Sequence, residues 1–181
     1  MLNDIKQVLV SKEELQKICE DLGKQISKDY EGKNLLIVSI LKGSIMFMSD
    51  LMKNITVNCK IDFMALSSYG SDTKGTRVRV VKDLEIDLEG YDVLIVEDIL
   101  DSGKTLDYVI NNLFKSRNPA SVKICTLLDK PSRREIKTIK ADYFGTTVPN
   151  AFVVGYGLDY DEKYRNLPFI GELKEEIYKK P

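Results

Sequence analysis

The sequence predicts an α/β fold built on a mostly parallel, twisted sheet flanked by helices, and three observations carry that expectation. Residues 93–96 (Val-Leu-Ile-Val) and 34–41 (Asn-Leu-Leu-Ile-Val-Ser-Ile-Leu) are short apolar runs without polar alternation, the pattern of parallel strands covered on both faces. Each run is followed by a short loop and then by apolar residues spaced three and four apart, the mark of an amphipathic helix: Leu106, Val109, Ile110, Leu113 and Phe114 in one case, Ile45, Met46, Met48, Leu51 and Met52 in the other. The chain's 181 residues are 43% hydrophobic and 30% charged, a soluble globular composition in one domain able to bury roughly 70% of its unfolded surface.

Composition excludes several classes of chemistry. Lysine and arginine number 27 against 28 acids, a formal charge of −1 that asks for neither nucleic acid nor a membrane surface. Cys19, Cys59 and Cys125 are far apart and form no C-x-x-C pair, so neither a disulfide framework nor a zinc site is indicated, and a reducing, cytoplasmic setting is expected. The first ten residues lack the unbroken apolar core of a signal peptide, and Lys42 and Asp50 interrupt the longest apolar region. Histidine is absent, which removes Ser-His-Asp and Cys-His catalysis and leaves carboxylates, lysine, tyrosine or a bound metal for acid-base work.

In chain order, Ser11-Lys12-Glu13-Glu14 reads as a capping box that opens a packing helix with Leu15, Ile18, Cys19, Leu22 and Ile26 on one face. The strand at 34–41 ends in Lys42-Gly43-Ser44, by itself a plain turn. A third strand pattern at 55–67 runs into residues 67–76, where two glycines among small polar residues bury too little apolar area to be ordered alone. Residues 77–84 read as a returning strand, 121–128 as another ending in a basic turn that contains Lys130, and 141–147 as one more. A short strand and helix close the chain at 169–178.

The stretch at 93–105 organises the rest. After its apolar strand come Glu97, Asp98 and Asp101, then Ser102-Gly103-Lys104-Thr105 at a helix start, where backbone N–H groups and hydroxyls face any bound phosphate. It is not a Walker A loop, since that pattern needs glycine where Asp98 stands, and a carboxylate there repels phosphate. Three neighbouring carboxylates disfavour one another, by up to about 4 kcal/mol for a pair 4 Å apart at an effective dielectric near 20. A magnesium ion, a sugar diol or protonation relieves this, and acids beside a phosphate cradle suit a ligand carrying both ribose hydroxyls and phosphates.

These thirteen residues resemble the phosphoribosyl pyrophosphate (PRPP) motif of the type I phosphoribosyltransferases, and the chain up to Pro168 resembles the hypoxanthine-guanine members of that family. The resemblance implies a type I fold: a single domain over 1–181, with a core at about 34–147 and a small hood at about 148–181 joined by the N-terminal residues. It assigns Glu97 and Asp98 to the PRPP ribose and magnesium, and residues 101–105 to the 5-phosphate. Leu41, Lys42, Gly43 and Arg165 fall to pyrophosphate. Ser68 and Tyr69 match a lid, which would keep water from the reacting sugar. Lys130 matches the donor to the purine 6-oxo group, Phe152 the aromatic stacked on the base, Val153 a residue whose backbone reads the base edge, and Asp159 a carboxylate tied to the purine's 2-position side and a second magnesium. Asp101 is the expected acceptor of the proton near N7.

The activity implied is purine salvage: transfer of the phosphoribosyl group from PRPP to hypoxanthine or guanine, giving IMP or GMP and pyrophosphate, with Mg2+ as cofactor. A homodimer or homotetramer is expected, and no nucleic-acid or membrane partner. Two alternatives stay open: a preference for guanine or xanthine in the same site, and a transcriptional or RNA-binding regulator on the same fold, which should show a basic face.

Overall fold

The computed structural model describes residues 1–69 and 77–179. In chain order its elements begin with β1 (Ile5–Val10), α1 (Lys12–Asp29), β2 (Leu35–Leu41), α2 (Ile45–Met52), β3 (Cys59–Tyr69) and β4 (Arg77–Lys82). They continue with β5 (Asp92–Leu100), α3 (Lys104–Tyr108), β6 (Ser121–Asp129), β7 (Tyr143–Thr147), β8 (Val153–Val154), β9 (Ile170–Leu173) and α4 (Glu175–Tyr178).

Among the described residues six strands form the main sheet in the order β4-β3-β2-β5-β6-β7. The five strands β3, β2, β5, β6 and β7 are parallel, and β4 returns antiparallel along the edge of β3. The unbroken apolar runs have the predicted cause, since alternate residues feed two cores. Leu35, Ile37, Leu94 and Val96 pack with α1 and α2 through Leu15, Leu22, Phe47 and Leu51. Leu36, Val38, Val93 and Ile95 pack on the opposite face with Leu106, Val109 and Phe114. Each run therefore carries hydrophobic residues at consecutive positions.

The capping box of α1 is complete: Ser11 N donates to Glu14 Oε2 at 2.7 Å and Glu14 N donates to Ser11 Oγ at 3.2 Å. Beyond the central loop, α3 lasts only five residues before the backbone widens into a π-like turn at Val109–Phe114 and tightens again at Lys115–Arg117. The apolar spacing still places Val109 and Phe114 in the core, so the periodic signal reports the buried face while missing the change in winding.

A second, three-stranded antiparallel sheet, β1-β9-β8, joins the first strand to the last. Val154, Tyr164, Leu167 and Leu173 form its own small core. The strand β1 carries no sequence signal of its own, because Lys6, Gln7 and an exposed Val8 interrupt any alternation. Its partner, β9, lies near the other end of the chain.

Candidate active site

Strand order reverses between β2 and β5. From β2 the chain proceeds outward through β3, and from β5 it proceeds the other way through β6 and β7. Loops leaving adjacent strand ends at such a switch point diverge and open a crevice, the position where open α/β sheets bind ligands. The loop at 41–43 leaves β2 and the loop at 101–103 leaves β5, so the switch point lies at the two phosphate loops expected from the sequence.

Three cavities line up along this crevice and share walls. The first, of about 190 Å³, is bounded by Leu41, Gly43, Ser67, Glu97, Asp98 and Thr105. The second, of about 260 Å³, is bounded by the same Glu97, Asp98 and Thr105 together with Asp101, Ser102 and Gly103. Asp101 also borders the third, of about 520 Å³, which holds Lys130, Phe152, Val153 and Asp159. The acids thus occupy the middle of one composite cleft, with a backbone loop at one end and an aromatic pocket at the other.

The acidic pair sits where charge is costly. Glu97 is 9% exposed, and burial first and then the neighbouring Asp98 charge push its pKa well above the usual carboxylate value. Burial likewise pushes Asp98 up to about 6, against hydrogen bonds from backbone N–H groups, including Ile99 N to Oδ1 at 2.7 Å, and the positive charge of Arg165. Among the described residues no basic side chain bonds to either acid. Gly43 lies directly against Asp98: a Cβ there would sit 1.7 Å from its Oδ2, so only glycine lets the 41–43 loop approach this closely. The loop is anchored from below by the buried Ser39 and Ser44 hydroxyls, 2.7 Å apart.

Asp101 is held from two sides. Arg133 Nε donates to its carboxylate at 2.9 Å, while Arg134 Nε donates to its carbonyl at 2.8 Å. Arg134 also donates to the carbonyls of Leu100 and Ile139 and pairs with Asp129, tying the basic turn after β6 to the central loop. Neither arginine was singled out in the sequence, where they form an undifferentiated pair after Ser132.

On the base side, Lys130 is 5% exposed and donates to Ala151 O at 2.6 Å. Burial lowers its pKa, with Asp101 opposing the fall. The Phe152 ring stacks on Tyr178 of α4 (centroids 4.9 Å, planes 27° apart) and meets Tyr160 edge-on at 5.4 Å. Tyr178 and Glu175, on the short helix that closes the chain, share the wall of this cavity, and neither carries a site signal in the sequence. Asp159 Oδ1 pairs with Arg165 at 3.0 Å, and its Oδ2 accepts from Glu162 N at 2.9 Å.

Some expected site residues stand apart. Lys104 points to Glu135 (2.6 Å) and Lys42 to Glu162 (2.9 Å), both in exposed ion pairs outside the cleft walls. Arg165 donates to Gly157 O at 2.8 Å and borders a separate cavity between α1 and α2, while its charge reaches Asp98. Ser68 and Tyr69 lie on β3 with their backbones in register with Val78 and Arg77, and the loop between, 70–76, is outside the described residues. Glu97, Asp98 and Asp159 do not converge on one point; no cluster of three metal-ligating side chains exists among the described residues. Nor is any described helix long and apolar enough to cross a membrane.

Comparison with known proteins agrees with this fold. The family model for the phosphoribosyl transferase domain matches residues 8–161. Over 179 residues the chain is 55% identical to the hypoxanthine-guanine phosphoribosyltransferase of Staphylococcus aureus (strain Mu50), covering 98% of this chain and 99% of that protein. It is 54% identical to the bifunctional protein TilS/HprT of Listeria innocua, but spans only 27% of that protein's length. A crystal structure of a hypoxanthine phosphoribosyltransferase from Staphylococcus aureus superposes with a TM-score of 0.94 at 54% identity, covering 99% of this chain and 97% of that one.

Proposed function

The chain belongs to the hypoxanthine-guanine phosphoribosyltransferase family of transferases, and we propose that it moves the 5-phosphoribosyl group of PRPP to N9 of hypoxanthine or guanine, giving IMP or GMP and pyrophosphate. One observation supports this most: the acids Glu97, Asp98 and Asp101 stand between a backbone loop at the switch point and an aromatic pocket, in cavities that share walls. Such a cleft accepts an elongated ligand with anionic ends and a diol between them, next to a flat base.

The donor set fits magnesium. This small cation is held by one or two carboxylates and completes its shell with waters and substrate oxygens, so Glu97 and Asp98 suffice once PRPP is present. A cation there would also relieve the cost of charging these two acids, whose pKa values are raised. Bound magnesium would neutralise charge on the departing pyrophosphate. Asp159 is the further carboxylate assigned to a second ion.

The chain's own groups do the rest. Residues 41–43 offer backbone N–H groups to pyrophosphate, and Arg165 adds charge on the same side. The loop at 101–105 holds the 5-phosphate. Phe152 stacks on the purine, worth on the order of 1 to 3 kcal/mol. Lys130 donates to the 6-oxo group, and against adenine it would face an amino donor, a mismatch costly in a dry pocket. Asp101 borders both the sugar-phosphate and base cavities, the position from which a carboxylate accepts the N7 proton as the N9 bond forms. The lid at Ser68 and Tyr69 excludes water.

The test is a spectrophotometric assay with PRPP and magnesium, comparing hypoxanthine, guanine, xanthine, adenine and uracil with and without EDTA. Metal-dependent turnover of hypoxanthine and guanine but not adenine is the expected result. Turnover of adenine or uracil instead would overturn the base assignment, and turnover of none would overturn the reaction.

A further inference from the structure

We propose that Tyr156 and Asp50 form a strut that sets the pyrophosphate half of the cleft from behind, which makes Tyr156 a positioning residue for PRPP; this rests on the phosphoribosyl-transfer reading above. The Tyr156 phenol is buried and donates to Asp50 Oδ2 at 2.5 Å, with Cys19 Sγ 3.8 Å away. Asp50 lies on α2, the helix that leaves the 41–43 loop, and is also paired at 2.6 Å with Lys53, which caps that helix's C-terminus. Burial and then the Asp50 hydrogen bond raise the phenol's pKa far above its usual value, so it remains a donor at any working pH.

What Tyr156 fixes is the backbone beside it. Gly155, Tyr156 and Gly157 have φ of +100°, +50° and +103°, a left-handed run in which tyrosine is the member that does not favour the conformation. Tyr156 N donates to Leu167 O at 2.8 Å, and Gly157 N donates to Arg165 O at 2.9 Å while Gly157 O accepts from the Arg165 guanidinium at 2.8 Å. Gly157 also abuts the other loop, since a Cβ there would sit 1.9 Å from Gly43 O. The phenol–carboxylate bond therefore connects α2 to the turn that both presses on Gly43 and orients Arg165. A cavity of about 530 Å³, walled by Asp50, Tyr156 and Arg165, opens on one side of the strut, so the hydrogen bond adds to the core packing of the Tyr156 ring in fixing the turn.

The experiment is a kinetic double-mutant cycle with Tyr156→Phe and Asp50→Ala, each of which removes one partner of the bond. Each single variant is expected to raise KM for PRPP about three- to tenfold, the scale of one hydrogen bond, with kcat and KM for hypoxanthine within about twofold of wild type. The double variant is expected to match Tyr156→Phe, because both changes remove the same bond. An unchanged KM for PRPP in Tyr156→Phe, equal losses in all three parameters, or additive effects in the double variant would each overturn the strut. Tyr156→Phe keeps the ring and decides alone if Asp50→Ala does not fold. A wild-type enzyme that neither turns over hypoxanthine nor binds PRPP would overturn the functional reading itself, and the strut with it.

Discussion

The two halves of the cleft are built differently. The phosphate half comes from two loops leaving adjacent parallel strands: residues 97–105 supply acids, hydroxyls and helix start in one stretch, and 41–43 arrive beside them because β2 pairs with β5. The base half is assembled from Lys130 after β6, Phe152 and Val153 at β8, Asp159 in a turn and Tyr178 in α4, four segments with no local relation. Sheet pairing alone positions the first. The second depends on a two-residue strand docking in the small sheet with β9. Changes in the phosphate half should therefore act through chemistry, and changes in the base half through placement as well.

Asp101 is the residue common to both halves, and its loss should be the largest effect. Asp101→Asn keeps the volume and a carbonyl acceptor for Arg133, yet removes the proposed proton acceptor, so turnover is expected to fall about a hundredfold or more, the usual scale for a lost general base. PRPP binding measured by calorimetry should be nearly unchanged. Wild-type turnover in the variant would take Asp101 out of that role.

Next in size is Lys130→Met, which is confined to the base half. It leaves Ala151 O and the 6-oxo group without their donor in a buried place, expected to cost hypoxanthine about ten- to a hundredfold in kcat/KM while KM for PRPP stays within about twofold. Discrimination against adenine should narrow. A matching loss in PRPP affinity would mean that the halves are mechanically coupled at Lys130.

In the phosphate half, Asp98 couples function to pH. Its folded value of about 6 exceeds the unfolded 3.8, so between those two values the folded protein binds more protons and loses stability as the pH rises. Above about pH 6 the whole penalty persists unless a cation relieves it. Asp98→Asn should therefore stabilise the ligand-free protein at pH 8 by on the order of 1 to 2 kcal/mol, a few degrees in Tm, and leave it unchanged at pH 4. The same substitution should weaken magnesium-dependent binding of PRPP. Equal melting of the two proteins at pH 8 would mean that the acid carries no such penalty.

The same contrast explains what could be read from the sequence. The Ser11–Glu14 capping box, the two buried strands and the 93–105 loop were legible because their residues act on near neighbours. Arg133 and Arg134 were not: adjacent in sequence, one holds the Asp101 carboxylate at the surface while the other is buried against three backbone carbonyls. Arg133 is the last residue of the short turn at Pro131–Arg133, and Arg134 leaves that turn in an extended conformation. Strand β1 was hidden for a similar reason, since it is made a strand by β9 and by nothing within itself. Phe152, Val153 and Asp159 were assigned only through a resemblance, as no spacing in the chain joins them to Lys130.

Tyr178 gives the smallest effect and the sharpest comparison, because it meets the site through the Phe152 ring it stacks against and the cavity wall the two share. An aromatic pair is worth about 0.5 to 1.5 kcal/mol beyond buried area. If Tyr178 holds the Phe152 ring in place for the base, Tyr178→Ala should raise KM for hypoxanthine about two- to tenfold and spare KM for PRPP. If instead Tyr178 competes with the base for that ring, the same variant should lower KM for hypoxanthine. The sign of the change thus decides whether the last helix completes the base half or shields it. Tyr178→Phe, which keeps the stack and loses only the hydroxyl, should behave as wild type in either case.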